Sequence, residues 1–407
     1  METFIARQPI FDAQRKVYGY ELFFRSGLEN VFRHSDPSQA TSKVMVDSFF
    51  LFNLKDLTGG KRAFINVPRD ILLKEYMFFL PKEQVVVELL ETVEPDPEVL
   101  QACQKLKQAG YLIAVDDFVY EEKYEPLLEF ADLVKVDFLA TPEPARKALF
   151  KKLFPLRVRL VAEKVETDQM LQEGIANGYS FFQGYFFSKP AIIVGKDIPG
   201  FKAHYFQLLK EIHRAEMDLK RLEEIIKKEV GLTYKLLRYI NSAFFSLRSK
   251  ITSVRQALVL LGERTIKNWI SFVALASMGA DKAEELLILT IVRARFCEML
   301  APYFNLSDRK EDSFLMGLFS LIDAFLDRPL SEILAEIPID DPIKLALLGE
   351  PGRLREIYQY TLSYEKAAWG NLDKPIIPPG EETTPFSLYL EALKWGQAFY
   401  SETKGAP

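Results

Sequence analysis

Two periodicities divide the chain. Through the first 195 residues, short runs rich in Val, Ile, Phe and Tyr alternate with longer stretches of helical spacing. The runs are FIARQ (4–8), VYGYELFF (17–24), RAFINV (62–67), VVVELL (85–90), YLIAV (111–115), LVKV (133–136), RLVAE (159–163) and YSFFQG (179–184). Apolar, β-branched runs of this length between turn residues read as strands of a buried sheet. The first two are joined by a polar turn, PIFDAQRK, which predicts an antiparallel hairpin; the later ones are separated by enough chain for crossover helices and are therefore expected to be parallel. The fold class expected is α/β, a (β/α)8-like barrel with one antiparallel strand.

After KPAIIVGKDIPG (189–200) the alternation stops and a period of 3.6 takes over. Leu219, Leu222, Ile225, Ile226 and Val230 fall on one helical face. Ser253 with Gln256 reads as a capping box opening VRQALVLL, and Gly262 is placed to end that helix. The second half is expected to be all-α, which gives two domains, a barrel over 1–197 and a helical domain over 198–407.

Each strand from the second to the eighth delivers a polar side chain near its C-terminal end: Glu21, Asn66, Glu88, Asp116 with Asp117, Lys135 with Asp137, Glu163 and Gln183. In parallel barrels that end faces the substrate. A single buried carboxylate there could be an accident of packing. Several converging carboxylates repel one another in a low-dielectric mouth unless cations neutralise them, and oxygen ligands of this kind suit Mg²⁺ or Mn²⁺. Two such ions bridged by carboxylates would support phosphodiester hydrolysis, with Lys135 placed to stabilise developing charge.

Composition narrows the alternatives. A hydrophobic fraction of 48% and a charged fraction of 27% describe a chain that folds throughout. The N-terminus lacks a signal peptide pattern and no apolar run has the length of a membrane span, so a cytoplasmic protein without a membrane partner is expected. Cys103 and Cys297 lie in separate helical contexts and read as core residues, not as a disulfide or thiolate metal site. The net charge is −5, while residues 200–264 carry 13 Lys and Arg against 7 Asp and Glu. Those charges are interspersed on amphipathic helices, which reads as a solvated face and does not call for a nucleic acid partner.

YELFFR (20–25), FINVP (64–68), VELLE (87–91), VDDF (115–118), VKVD (134–137), AEKVET (162–167) and FFQGYFFSKP (181–190) resemble, in order and spacing, the EAL family of cyclic di-GMP phosphodiesterases. The resemblance implies that Glu21, Asn66, Glu88 and Asp116 hold one metal ion and Asp117 a second. It implies that Glu163 and Gln183 organise metal and water, that Lys135 is the active-site lysine, and that Arg25 and Asp137 serve ligand binding, Arg25 as a phosphate contact. Two departures stand out: Leu22 replaces a small residue of the signature tripeptide, and the bulky Val119–Pro126 segment replaces a Gly- and Ser-rich loop tied to metal binding and dimerisation. The stretch 234–277, with Asn241, Ser242, Ser253 and Gly262, resembles the HDOD domain, a helical relative of HD phosphohydrolases. Where those hydrolases carry a His-Asp pair this chain has Ser320-Leu321, and its histidines are only His34, His204 and His213, so this half is expected to be a non-catalytic docking module. Asn241 is expected to bond backbone at a helix end, with Leu236, Leu237, Ile240, Phe244 and Phe245 in the core.

Three functions follow from the resemblance: a signalling protein that binds divalent metal and cyclic di-GMP with weak or conditional hydrolysis, an active Mg²⁺ or Mn²⁺ phosphodiesterase yielding pGpG, or a scaffold indifferent to the nucleotide. The partners implied are cyclic di-GMP, a protein docked on the HDOD half and a second copy of the chain.

Overall fold

The computed structural model describes residues 3–26, 54–188, 200–214, 219–228, 230–241, 250–368, 377 and 383–404. Ser242, Phe244, Phe245 and His34 lie outside them, as do the side chains of Arg25, His204 and Val230. The chain divides into two units, Met1–Lys189 with Leu362–Leu390, and Pro190–Thr361 with Glu391–Pro407.

The first unit contains a closed eight-stranded barrel in sequential order. Its strands are β1 (Thr3–Asp12), β2 (Val17–Ser26), β3 (Arg62–Val67), β4 (Val85–Leu89), β5 (Leu112–Val115), β6 (Leu133–Asp137), β7 (Arg159–Glu163) and β8 (Phe181–Gln183). β1 pairs antiparallel with both β2 and β8, and every other pairing is parallel. The hairpin turn is shorter than the polar run suggests, because Pro9–Asp12 continue β1 and Asp12 Oδ1 accepts from Gln14 and Lys16 N to close the turn.

One apolar layer fills the barrel: Ile10, Phe64, Val86, Ala114, Leu133, Val161 and Phe181 form a single buried cluster. Side chains two apart on a strand share a face. The next inward layer is therefore fixed by arithmetic as Asn66, Glu88, Asp116, Lys135, Glu163 and Gln183. On β2 the layer position is Gly19, whose added Cβ would meet the Phe64 ring at 2.9 Å, and Glu21 follows two residues on. β1 runs the other way, so its contribution is Gln8, two residues before Ile10.

Gly184 closes the polar layer. Its φ is +146° and a Cβ there would lie 2.1 Å from the Val165 carbonyl oxygen, while Val165 N donates to Gln183 O at 2.9 Å. Gly184→Ala should destabilise the barrel by at least about 2–3 kcal/mol through strain and overlap. A denaturation midpoint equal to wild type would contradict this account of how Gln183 is held.

The second unit is helical among its described residues. Gly200–Ile212, Leu219–Lys228, Val230–Ile240, Val254–Met278, Glu284–Leu300 and Lys310–Phe319 surround a core containing Trp269, Phe296, Phe319 and Phe325. Gly317 lets two of these helices approach, since its Cβ would lie 2.6 Å from Ala294 Cα. Leu222 and Ile226 are buried as their spacing requires, but Leu219 is 43% exposed at the helix start. Ser253 Oγ accepts from Gln256 N and caps its helix. Gly262, by contrast, kinks that helix at φ 72° instead of ending it, and Val254–Met278 continues on either side. Asn241 ties its helix end to the next segment, donating to Leu237 O and Ile251 O and accepting from Ile251 N. Cys103 and Cys297 are both buried thiols that form no disulfide, and Cys297 Sγ lies 3.4 Å from Thr361 Oγ1. No helix among the described residues is long and apolar enough to cross a membrane.

Candidate functional site

The polar layer converges on one side chain. Lys135 is fully buried, and its Nζ lies 3.0 Å from Glu21 Oε2, 3.1 Å from Asp116 Oδ1 and 2.7 Å from Glu163 Oε1, with a further contact to Glu88 Oε1. Glu21 is oriented from both sides. Asn66 Nδ2 donates to its Oε1 at 2.8 Å and Gln183 Nε2 to its Oε2 at 2.7 Å, while Gln183 also donates to Gln8 Oε1 at 2.9 Å. Gln8 is thus a site residue that polarity at C-terminal strand ends could not reveal. The period-two rule applied to a reversed strand would have found it.

The electrostatics follow from burial. Desolvation favours neutral groups, yet four carboxylates outweigh it at Lys135, whose ammonium is held well above the ordinary lysine range. The acids share one cation among four, so burial prevails over attraction for some of them. Glu88 is raised well above the carboxylate range by burial and by Glu21, and Glu163 is pushed up to about 8 by burial despite Lys135. Asp117 is raised by burial and by Asp116 beside it.

Several oxygens in this layer have no donor. Asn66 Oδ1, Glu88 Oε2, Asp116 Oδ1 and Gln183 Oε1 are buried without a hydrogen-bond partner; the Asp116 contact to Lys135 is close but lacks hydrogen-bond geometry. Donor-less buried oxygens are costly, and a hard cation is what such a set accommodates. Further out, Glu91, Asp116 and Asp117 each offer an oxygen within 4.8 Å of the others, the one such group among the described residues. Glu91 was not singled out from sequence, because it lies in the turn beyond β4 and not on the strand. Asp117 itself has φ 39°, and Phe118 N donates to Lys135 O at 3.0 Å, which fixes the aspartate pair beside β6.

Asp137 is placed at the same rim, with its oxygens committed. Oδ1 accepts from Leu139 and Ala140 N, and Oδ2 accepts from Lys164 Nζ, so its carboxyl is held below the usual range even though burial acts against this. Arg25 takes its place in β2 opposite Phe4, but its side chain is not among those described.

The segment after Asp117 is pinned. Phe118 is buried and meets Tyr120 and Tyr124 edge-on, Tyr120 Oη donates to Glu125, Lys152 Nζ lies 3.2 Å from the centre of the Tyr120 ring, and Lys123 pairs with Glu94 at 3.2 Å. Val119 is left 69% exposed.

The helical unit has a cavity of about 440 Å³ lined by His213, Arg264, Lys267, Glu311, Leu315 and Ile343, among others. Its charged walls largely satisfy each other: Lys267 pairs with Glu263 and Arg264 with Glu298, each at 2.8 Å. His213 is buried against Ser271 Oγ at 2.9 Å, and burial pushes it down to about 3, so it is neutral. Ser320 Oγ accepts from the buried Arg293 at 2.9 Å and donates to Gly317 O. A guanidinium, not a metal ligand, therefore occupies the place where an HD pair would have been sought.

Comparison with known proteins agrees in both halves. Residues 48–190 match the model of the EAL domain and residues 198–326 that of the HDOD domain. The chain is 35% identical over 399 residues to the cyclic di-GMP phosphodiesterase CdgJ of Vibrio cholerae, covering 97% of this chain and 92% of that one. It is 35% identical over 410 residues to the uncharacterized protein YuxH of Bacillus subtilis, covering 97% of this chain and 98% of that one. A standalone EAL protein from Vibrio cholerae O395, solved in its c-di-GMP bound form, is 24% identical over 46% of this chain and 92% of that one, with a TM-score of 0.37.

Proposed function

Because the chain belongs to the EAL-HDOD signalling proteins, we propose that its barrel binds a divalent metal ion, Mg²⁺ or Mn²⁺, together with cyclic di-GMP, that hydrolysis there is weak or conditional, and that the helical half is a non-catalytic docking module. The proposal takes residues 1–197 and 198–407 as the two domains. The observation that carries it is the single ammonium of Lys135 among four carboxylates, three of them buried, in a layer with four donor-less oxygens.

Glu21, Asn66, Glu88 and Asp116 would hold one ion, and Asp117 a second. Bound there, such ions lower the pKa of water and stabilise the oxygens of a phosphodiester. The chain's own residues supply the rest. Lys135 stays protonated and presents positive charge where negative charge develops, and Glu163, 2.7 Å from that ammonium, would take a proton from water. Gln183 and Gln8 keep Glu21 in place.

The reading of weak turnover rests on the pinned segment 119–126. A segment stapled by aromatic and ionic contacts does not rearrange readily around a second ion at Asp117. The completeness of the inner layer and the phosphodiesterase relative favour a second reading, brisk hydrolysis to pGpG.

Calorimetric titration with cyclic di-GMP in Ca²⁺, followed by product analysis in Mn²⁺, tests both. We expect saturable binding in Ca²⁺ and turnover well below about 1 s⁻¹ in Mn²⁺. Rapid cleavage would put the second reading first, and no binding in either metal would leave the barrel an interaction scaffold.

A further inference from the structure

Lys164 follows Glu163 directly beyond β7, and its backbone sits at φ 54°. That left-handed region disfavours any side chain with a Cβ, and lysine has no local hydrogen bond to compensate, as Asn or Asp would. Lys164 Nζ contacts Asp137 Oδ2 at 2.5 Å and lies 4.0 Å from Asp117 Oδ1. Asp137 is itself fixed by Leu139 and Ala140 N at 2.7 and 2.9 Å, so the ammonium is held on an anchored acid and does not hang from a free stem.

The acid that Lys164 approaches belongs to the outer carboxylate group of Glu91, Asp116 and Asp117. Asp116 Oδ1, buried and without a donor, is part of that group. A divalent ion coordinated by Asp117 would therefore sit a few ångströms from a fixed positive charge.

We propose that Lys164 is the resident cation of the outer carboxylate group, competing with a second divalent ion for Asp117, so that the barrel takes one ion tightly and a second only weakly. This rests on the metal-binding reading of the barrel and deepens it, because it names what limits the second ion. Lys164 does not reach the rest of the inner set: Glu21, Asn66 and Glu88 make no contact with it among the described interactions. Hydrolysis through two ions needs them within about 4 Å of each other, so loss of the outer ion reduces turnover without preventing ligand binding at the inner one.

The test counts ions. Mn²⁺ is titrated into the full chain with calorimetric and electron paramagnetic resonance detection, without nucleotide. Wild type should take up one ion with a well-separated, weaker second event. Lys164→Met removes the charge and keeps the stem on a half-exposed side chain, so the fold should survive; it should tighten the second event by roughly tenfold or more, the scale set by one charge about 4 Å away with partial screening. Lys164→Arg should behave as wild type. Two equal high-affinity ions in wild type, or an unchanged second event in Lys164→Met, would overturn the proposal while leaving the barrel a metal site. Absence of any Mn²⁺ uptake in both proteins would overturn it together with the metal-binding reading.

Discussion

Lys135→Met is expected to cost the metal-free protein about 3–5 kcal/mol of stability at pH 8 and to abolish any hydrolysis of cyclic di-GMP. Methionine fills much of the lysine's volume, so packing is nearly preserved and the loss is electrostatic. Glu21, Glu88, Asp116 and Glu163 would be left facing one another without a cation. They have one escape, which is to bind protons. Glu88 and Glu163 are already raised in the presence of Lys135, and without it they rise further. A carboxyl raised on folding stabilises the native state fully below its unfolded value, near 4.5, and that contribution is lost as pH climbs through its folded value. The deficit of the variant should therefore be smallest near pH 5 and grow toward pH 8. Urea denaturation in the presence of chelator at both pH values measures it, and added Mn²⁺ should restore part of the loss at pH 8. Equal stability of variant and wild type at pH 8 would mean that the four carboxylates do not depend on this ammonium.

The same residues explain how far the sequence could be read. Strand positions were legible because parallel barrel strands are buried on both faces, and VVVEL or RLVAE leaves little else to be. The inner site was legible because a charge inside such a run has to be answered by something. What was not legible depended on backbone direction. Gln8 enters through the one reversed strand, Glu91 through a turn, and Lys164 through a left-handed residue that no local pattern announces. The role of Lys135 was legible, but not that four carboxylates meet on its ammonium, which makes it the centre of the layer. In the helical half, Gly262 was legible as a break but not as a kink, because a glycine with open space around it permits either outcome and tertiary packing of Ile266, Trp269 and Ile270 decides.

Mn²⁺ affinity should rise steeply between pH 6 and pH 8 and level off above. Carboxylate ligands must be deprotonated to coordinate, so every proton they carry in the metal-free state has to leave when the ion enters. Glu163, pushed up to about 8, is mostly protonated at pH 6, and Glu88, raised well above the ordinary range by burial and by Glu21, acts in the same direction. Each proton released steepens the dependence by up to about tenfold per pH unit, and Glu163 alone gives about fiftyfold between pH 6 and pH 8. Lys135 does not flatten this rise, since its ammonium is held well above the lysine range and stays charged throughout. Titrations in buffers of differing ionisation enthalpy count the protons directly: one or two per ion at pH 6.5 are expected. Glu163→Gln should lower that count by one while retaining the ion, whereas Glu88→Gln should remove a ligand and weaken the ion itself. A flat affinity from pH 6 to 8 with no proton release would show that the buried carboxylates are ionised before metal arrives, and the account of a layer sharing one cation among four acids would not stand.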